Sequence, residues 1–218
     1  DLGHLVQLAD FVIEATHPDA VKEICDTVFA AKSADQCKSL LIMSIGGLLK
    51  NPEILIQAKK KGVNLYLPSG AIAGIDALKS AKLGRIKAVT LTTSKPPAGL
   101  VGAPYLKKKK IDLSRIKLRK VLFQGNAQSA IKGFPANINV AGLLSIVGLG
   151  AKRTKVKIIA DPKLKRNIHE VVIEGNFGKI TTRTENIPSP TNPKTSWLAV
   201  LSAIATLKQV SDTVRIGT

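Results

Sequence analysis

The chain has 218 residues, 44% of them hydrophobic, which supplies apolar mass for a real core and excludes an intrinsically disordered chain. The longest apolar stretch, residues 140–151, is broken by Gly142, Gly148 and Gly150, so no run has the length of a membrane span. The formal net charge of +18 is uneven: residues 1–30 carry six acids and one lysine, while residues 107–120 carry eight basic residues and one acid.

In chain order, Ala9 to Ala15 reads as a buried strand because Phe11, Val12 and Ile13 form a continuous apolar run. Thr16-His17-Pro18 then opens a helix whose apolar face carries Val21, Ile24, Cys25, Val28 and Phe29. Leu40 to Ser44 is a second strand, with Ile45-Gly46-Gly47 as the turn after it. Pro52 to Lys61 is a second amphipathic helix, and Val63 to Leu67 is a third strand, ended by Pro68-Ser69-Gly70. Strand, helix, strand, helix, strand predicts a parallel sheet whose ligand lies beyond the carboxyl ends of the strands, here Glu14-Ala15-Thr16, Ser44-Ile45-Gly46 and Ser69-Gly70.

After residue 80 the period changes. Val89 to Thr93 and Lys155 to Ala160 alternate, and Glu170 to Glu174 and Lys179 to Glu185 flank Gly175-Asn176-Phe177-Gly178, a hairpin signal. Val140 to Gly148 reads as a helix of small residues. Pro188, Pro190 and Pro193 form a linker to a last helix, about residues 194–208, with Trp197, Leu198, Leu201, Ala205 and Leu207 on its buried side. The fold class is therefore α/β, followed by an α+β region with a mixed or antiparallel sheet.

A pI near 10.1 raises nucleic acid as a partner. The candidate segment is Lys107-Lys108-Lys109-Lys110 with Arg115, Lys117, Arg119 and Lys120. Single-strand binding usually adds aromatic platforms, and only Tyr105 and Phe123 lie nearby, so the run is read as a solvated basic loop. An anionic small molecule is a further use for the positive charge. Cys25 and Cys37 have no metal-ligand spacing; they predict no metal and suit a reducing, cytoplasmic setting. Asp1-Leu2-Gly3-His4 resembles no signal peptide.

Four segments carry chemistry. Ser69-Gly70-Ala71-Ile72-Ala73-Gly74-Ile75-Asp76-Ala77 follows a strand and opens a helix. Gly133-Phe134-Pro135-Ala136-Asn137-Ile138-Asn139-Val140-Ala141 places two asparagines before a helix, where each serves as a cap or binds a carboxamide. Asn167-Ile168-His169-Glu170 holds one of three histidines, a side chain able to move a proton near neutral pH. Asn192-Pro193-Lys194-Thr195-Ser196 offers a cation and hydroxyls to a carboxylate at a helix start.

Taken together and in this order, the four segments resemble the L-aspartate dehydrogenase family, from about Ala9 to the C-terminus. The resemblance implies a Rossmann-type dinucleotide-binding domain (residues 1–70 with 194–218) and a catalytic and dimerisation domain (71–193). It implies NAD or NADP as cofactor, L-aspartate and iminoaspartate as substrate and product, and a homodimer with no membrane or nucleic-acid partner. His169 matches the catalytic histidine; Ala15, Thr16, Ser44, Gly70, Ala71, Ala73 and Asn139 fall in cofactor-contacting segments; Lys194, Thr195 and Ser196 are candidates for the substrate carboxylates. The family's opening strand, Gly-rich turn, helix and acid-tipped second strand have no counterpart in the sequence shown, which leaves the dinucleotide domain partial. Gln124, where an acid is expected, and the Lys107–Lys110 insertion are smaller departures. Two other classes stay open: an imine or amine reductase on the same fold, and a basic nucleic-acid-binding protein.

Overall fold

The computed structural model describes residues 1–30, 39–135, 138–192, 195–214 and 216–217. It divides into two compact units, Asp1–Pro68 and Ser69–Thr218.

The first unit runs α1 (Leu2–Leu8), β1 (Phe11–Glu14), α2 (Val21–Ala30), β2 (Ser39–Ile42), α3 (Ile45–Lys50), α4 (Glu53–Lys61) and β3 (Asn64–Tyr66). The strands form a parallel sheet in the order β1-β2-β3, as the alternation of strand and helix predicts. Leu40, Leu41 and Ile42 of the central strand are fully buried. Val21, Cys25, Val28 and Phe29 turn the apolar face of α2 inward, at the spacing of one helical stripe. β1 lies at the sheet edge, with Ile13 51% exposed.

Ile45-Gly46-Gly47 is not a turn, as its glycines predict, but the start of α3. The reason is packing. A Cβ on Gly47 would lie against the Val21 side chain and 2.6 Å from the Pro18 carbonyl oxygen, so only glycine lets α3 come this close to the start of α2.

The second unit contains α5 (Ile75–Ala81), β4 (Ile86–Lys95), α6 (Pro104–Lys108), β5 (Lys120–Asn126), α7 (Ala127–Gly133), α8 (Ile138–Val147), β6 (Lys155–Ala160), β7 (Asn167–Gly175), β8 (Gly178–Asn186) and α9 (Trp197–Ser211). Its five-stranded sheet has the order β5-β6-β4-β7-β8, parallel between β4 and β6 and antiparallel elsewhere. The mixed sheet expected after residue 80 is present. The β7–β8 hairpin closes with Gly175 opposite Gly178, leaving Asn176 and Phe177 as its two-residue loop.

One face of this sheet, carrying Val89, Leu91, Val156, Ile158, Val171 and Ile173, is covered by Leu78 of α5, Ala127 and Ala130 of α7, and Ala141 and Leu144 of α8. Burying each large aliphatic side chain contributes roughly 1.5–3 kcal/mol. Thr93 and His169, paired across β4 and β7, continue the same face beyond its apolar part.

α9 corrects an expectation. Of the residues assigned to its buried side, Leu198 and Leu201 are 38% and 42% exposed and Ala205 is exposed; Ala203 is the one buried residue. The helix is apolar nearly all round, so hydrophobicity does not mark its packed face. The less exposed stripe is instead Ala199, Ser202, Ala203, Thr206 and Val210, whose mostly small side chains permit close approach.

The basic run is exposed as expected, but Lys107 and Lys108 form the last turn of α6 rather than a loop, where cations face the partial negative charge of the helix end. No helix among the described residues is long and apolar enough to cross a membrane.

Candidate active site

In the first unit, the carboxyl ends of β1 and β2 are joined by one buried acid. Glu14, 1% exposed, accepts from Thr16 N (2.7 Å) and Thr16 Oγ1 (2.9 Å) through Oε1, and from Ser44 N (2.9 Å) through Oε2. Three donors satisfy the buried carboxylate, which would otherwise be costly in this position. Ala15 and Thr16 consequently stand exposed at the strand end, and Ser44 is held beside it, buried. The sequence places Glu14 at a strand end without showing its role; its signal is an acid closing an otherwise apolar strand run.

In the second unit, the turn of residues 69–74 is tied to β8 by a row of hydrogen bonds. Thr182 Oγ1 donates to the Ala73 carbonyl (3.1 Å), Thr184 Oγ1 to the Ala71 carbonyl (3.0 Å), and Asn186 Nδ2 to the same Ala71 oxygen (3.0 Å). These three residues alternate along β8 and so share one face. Gly70 N donates to Ser202 Oγ of α9 (3.0 Å). Gly74, with φ +89°, turns the chain into α5, and a Cβ there would sit 2.9 Å from the Thr182 methyl carbon.

Ser196 joins the same network. Its hydroxyl donates to Asn186 Oδ1 at 2.6 Å, so its proton is committed inside the protein. Thr195 is half-buried; its carbonyl accepts from Ser189 N (2.8 Å), closing the proline-rich segment into a loop that brings Pro188 opposite Ser196.

His169 stands on β7 opposite Thr184, one strand in from the turn. It is 5% exposed, and its Nδ1 lies 3.0 Å from Thr93 Oγ1. Among the described residues no hydrogen bond to Nε2 accompanies it. Burial, and secondarily the positive charge of Lys95, push the His169 pKa down to about 4. The ring is neutral at physiological pH, and one tautomer, with Nδ1–H donating to Thr93, leaves the Nε2 lone pair open to a proton.

The structure thus brings Gly70, Ala71, Ala73, Ser196 and His169 onto one hydrogen-bonded framework, and Thr16 and Ser44 onto another through Glu14, with Ala15 between Glu14 and Thr16 in the chain. Asn139 stands exposed in the first turn of α8. Lys194, Asn137 and Cys37 lie outside the described residues. Among the described residues no group of His, Cys, Asp and Glu is placed to hold a metal ion. Thr93, Lys95, Thr184 and Asn186 carry much of the arrangement and have no motif of their own; only strand register reveals them.

The family model for the C-terminal part of aspartate dehydrogenase matches residues 76–210. The chain is 48% identical to the L-aspartate dehydrogenase of Methanosarcina barkeri, across 100% of this chain and 79% of that protein. It is 45% identical to the L-aspartate dehydrogenase of Nitrosopumilus maritimus, across 99% and 79%. The crystal structure of aspartate dehydrogenase from Thermotoga maritima aligns with a TM-score of 0.76 at 30% identity, covering 96% of this chain and 79% of that one. The chain belongs to the aspartate dehydrogenase family.

Proposed function

We propose that the protein oxidises L-aspartate at its α-carbon, with NAD or NADP as hydride acceptor. The observation that carries the reading is the neutral, nearly buried His169, fixed by Thr93 and seated one strand from the Ala71 turn, in a chain 48% identical to an L-aspartate dehydrogenase. When bound, the nicotinamide supplies a place for the hydride. The features of this chain that fit a dinucleotide are the exposed Ala15 and Thr16 at the carboxyl end of a parallel strand, where a ligand of such a sheet belongs. Gly70, Ala71 and Ala73 line a turn whose backbone β8 holds in place, and Asn139 offers a carboxamide to the ring or to the substrate's amino end.

The chain's own residues bind the substrate and manage one proton. The α-ammonium of aspartate must lose a proton before its α-carbon can release hydride, and His169 Nε2 accepts it. Departure of the hydride leaves the iminium of iminoaspartate. Water then converts it to oxaloacetate and ammonium, unless another reaction consumes the imine first. Lys194 and Thr195 supply donors to the substrate carboxylates. Ser196 takes part by holding Asn186, which in turn holds Ala71. Residues 1–70 with the last helix form the dinucleotide-binding part in this reading, and residues 71–193 the catalytic part.

A homodimer and a cytoplasmic setting complete the proposal; Cys25 suits the second, since burial pushes its thiol up to about 12 and keeps it unreactive. Sedimentation of the purified protein tests the dimer. The central test is an assay of the full-length protein with L-aspartate against other amino acids and 2-hydroxy acids, with each cofactor. Selective, cofactor-dependent turnover of aspartate supports the reading, and turnover of other amines with no preference for aspartate rejects it.

A further inference from the structure

β4 ends in a lysine that neither the motifs nor the proposed proton transfer uses. Lys95 is 7% exposed and follows Thr93 by two positions, so its side chain leaves the sheet on the same face as the Thr93–His169 pair. Among the described residues it makes no ion pair and no side-chain hydrogen bond. Its stem packs against Gly99, where an added Cβ would lie 3.7 Å from Lys95 Cβ and Cδ and 3.7 Å from the Asn167 amide oxygen. Together with Gly99, Leu100, Gly102, Ala103 and Phe134, it lines a cavity of about 170 Å³. Pockets that enclose drug-sized ligands run to roughly 300–1,000 Å³, so this one suits a group of a few atoms and not a dinucleotide.

A lysine kept from water without an acid is unfavourable in its charged form, and burial lowers its pKa. Its charge also depresses the neighbouring His169, so the resting site holds two groups that disfavour each other's protonation. An anion in the cavity relieves both conditions. It supplies the missing countercharge to the ammonium, and it screens the imidazole from that ammonium.

We infer that Lys95 and the cavity it lines form a subsite for one carboxylate of the substrate, so that the protein recognises a dicarboxylate through a cation outside the Lys194–Ser196 segment. This rests on the aspartate reading above for the identity of the ligand, although the anion site itself stands on Lys95 alone. In consequence, substrate binding raises the proton affinity of His169 at the moment a proton must be taken. An empty site keeps the imidazole a poor base.

The test uses the full-length protein and succinate, a dicarboxylate without an amine to oxidise. Lysines are acetylated with acetic anhydride, with and without succinate, and mapped by mass spectrometry. Succinate should protect Lys95 several-fold while leaving the exposed Lys107–Lys110 unchanged; unchanged labelling of Lys95 at the highest soluble succinate concentration overturns the inference. This measurement needs no variant. Next, Lys95→Met, and Lys95→Gln if the first fails to fold, should raise KM for aspartate about ten- to a hundred-fold, as expected for loss of a charge-assisted contact. KM for the cofactor should stay the same. An unaltered aspartate KM in a folded variant also overturns it. Should the wild-type protein fail to turn over aspartate, the functional reading falls, and succinate protection still decides the anion site.

Discussion

The Thr93 hydroxyl lies 3.0 Å from Nδ1 of His169, both side chains being buried on the helix-covered face of the same sheet. One hydroxyl thereby fixes the ring's orientation and leaves Nε2 as the atom open to chemistry. His169→Asn should lower kcat/KM for aspartate by about a hundred- to ten-thousand-fold, the usual worth of general acid–base help. Affinity for NADH, read by fluorescence titration, should hardly change. Thr93→Val should act through the ring: kcat falls while the aspartate KM holds, and the pH profile of kcat shifts.

The depressed His169 pKa has a consequence for stability. An unfolded histidine titrates near 6.5, whereas the folded one titrates at about 4. Between those values the unfolded chain binds the extra proton, so the contribution is complete above about pH 6.5 and is lost as pH falls toward 4. The loss amounts to about 3 kcal/mol at most. Urea unfolding from pH 7 to pH 4.5 should show this slope, and His169→Gln should flatten it. An equal slope in both proteins refutes the assignment.

Glu14→Gln should destabilise the first unit by about 1–3 kcal/mol, because a carboxamide turns its NH2 toward at least one of three groups that now donate to the carboxylate. Thermal melting reads the loss. The same variant should raise KM for the cofactor more than KM for aspartate, since the acid holds Thr16 and Ser44.

Replacing Lys107, Lys108, Lys109 and Lys110 by glutamine should leave aspartate turnover within about two-fold, since all four are exposed and surface substitutions of this kind are near neutral. A loss beyond that in a protein of unchanged melting temperature would show that the run has a partner or steering role.

Much of the frame can be read before folding. Short apolar runs, separated by amphipathic helices, announce the parallel sheet. The glycines at 175 and 178 announce the hairpin. Periodicity misleads where small residues carry the contact, as at Gly47 of α3 and along the Ala199–Val210 stripe of α9. His169 stands out because histidines are scarce. Lys95 does not, being one of 33 Lys and Arg; its importance comes from a strand register that puts it two residues beyond Thr93 and from a burial that composition cannot express. Glu14 and Asn186 are inconspicuous for the same reason, as each has a backbone partner distant in sequence, Ser44 N and the Ala71 carbonyl.

The β7–β8 hairpin sets a phase relation across the molecule. His169 faces Thr184 only because Gly175 faces Gly178, six residues and about 20 Å further along the strands. Adding a single residue at Asn176–Phe177 would shift one strand by half a period, turning either His169 away from Thr93 or the threonine row away from residues 71–73. The hairpin tip, about 20 Å along the strands from His169, thus acts as a timing mark for the candidate active site: register fixes its length, while Gly175, whose Cβ would lie 2.5 Å from the Arg85 carbonyl oxygen, and Gly178, at φ +110°, are constrained in type as well.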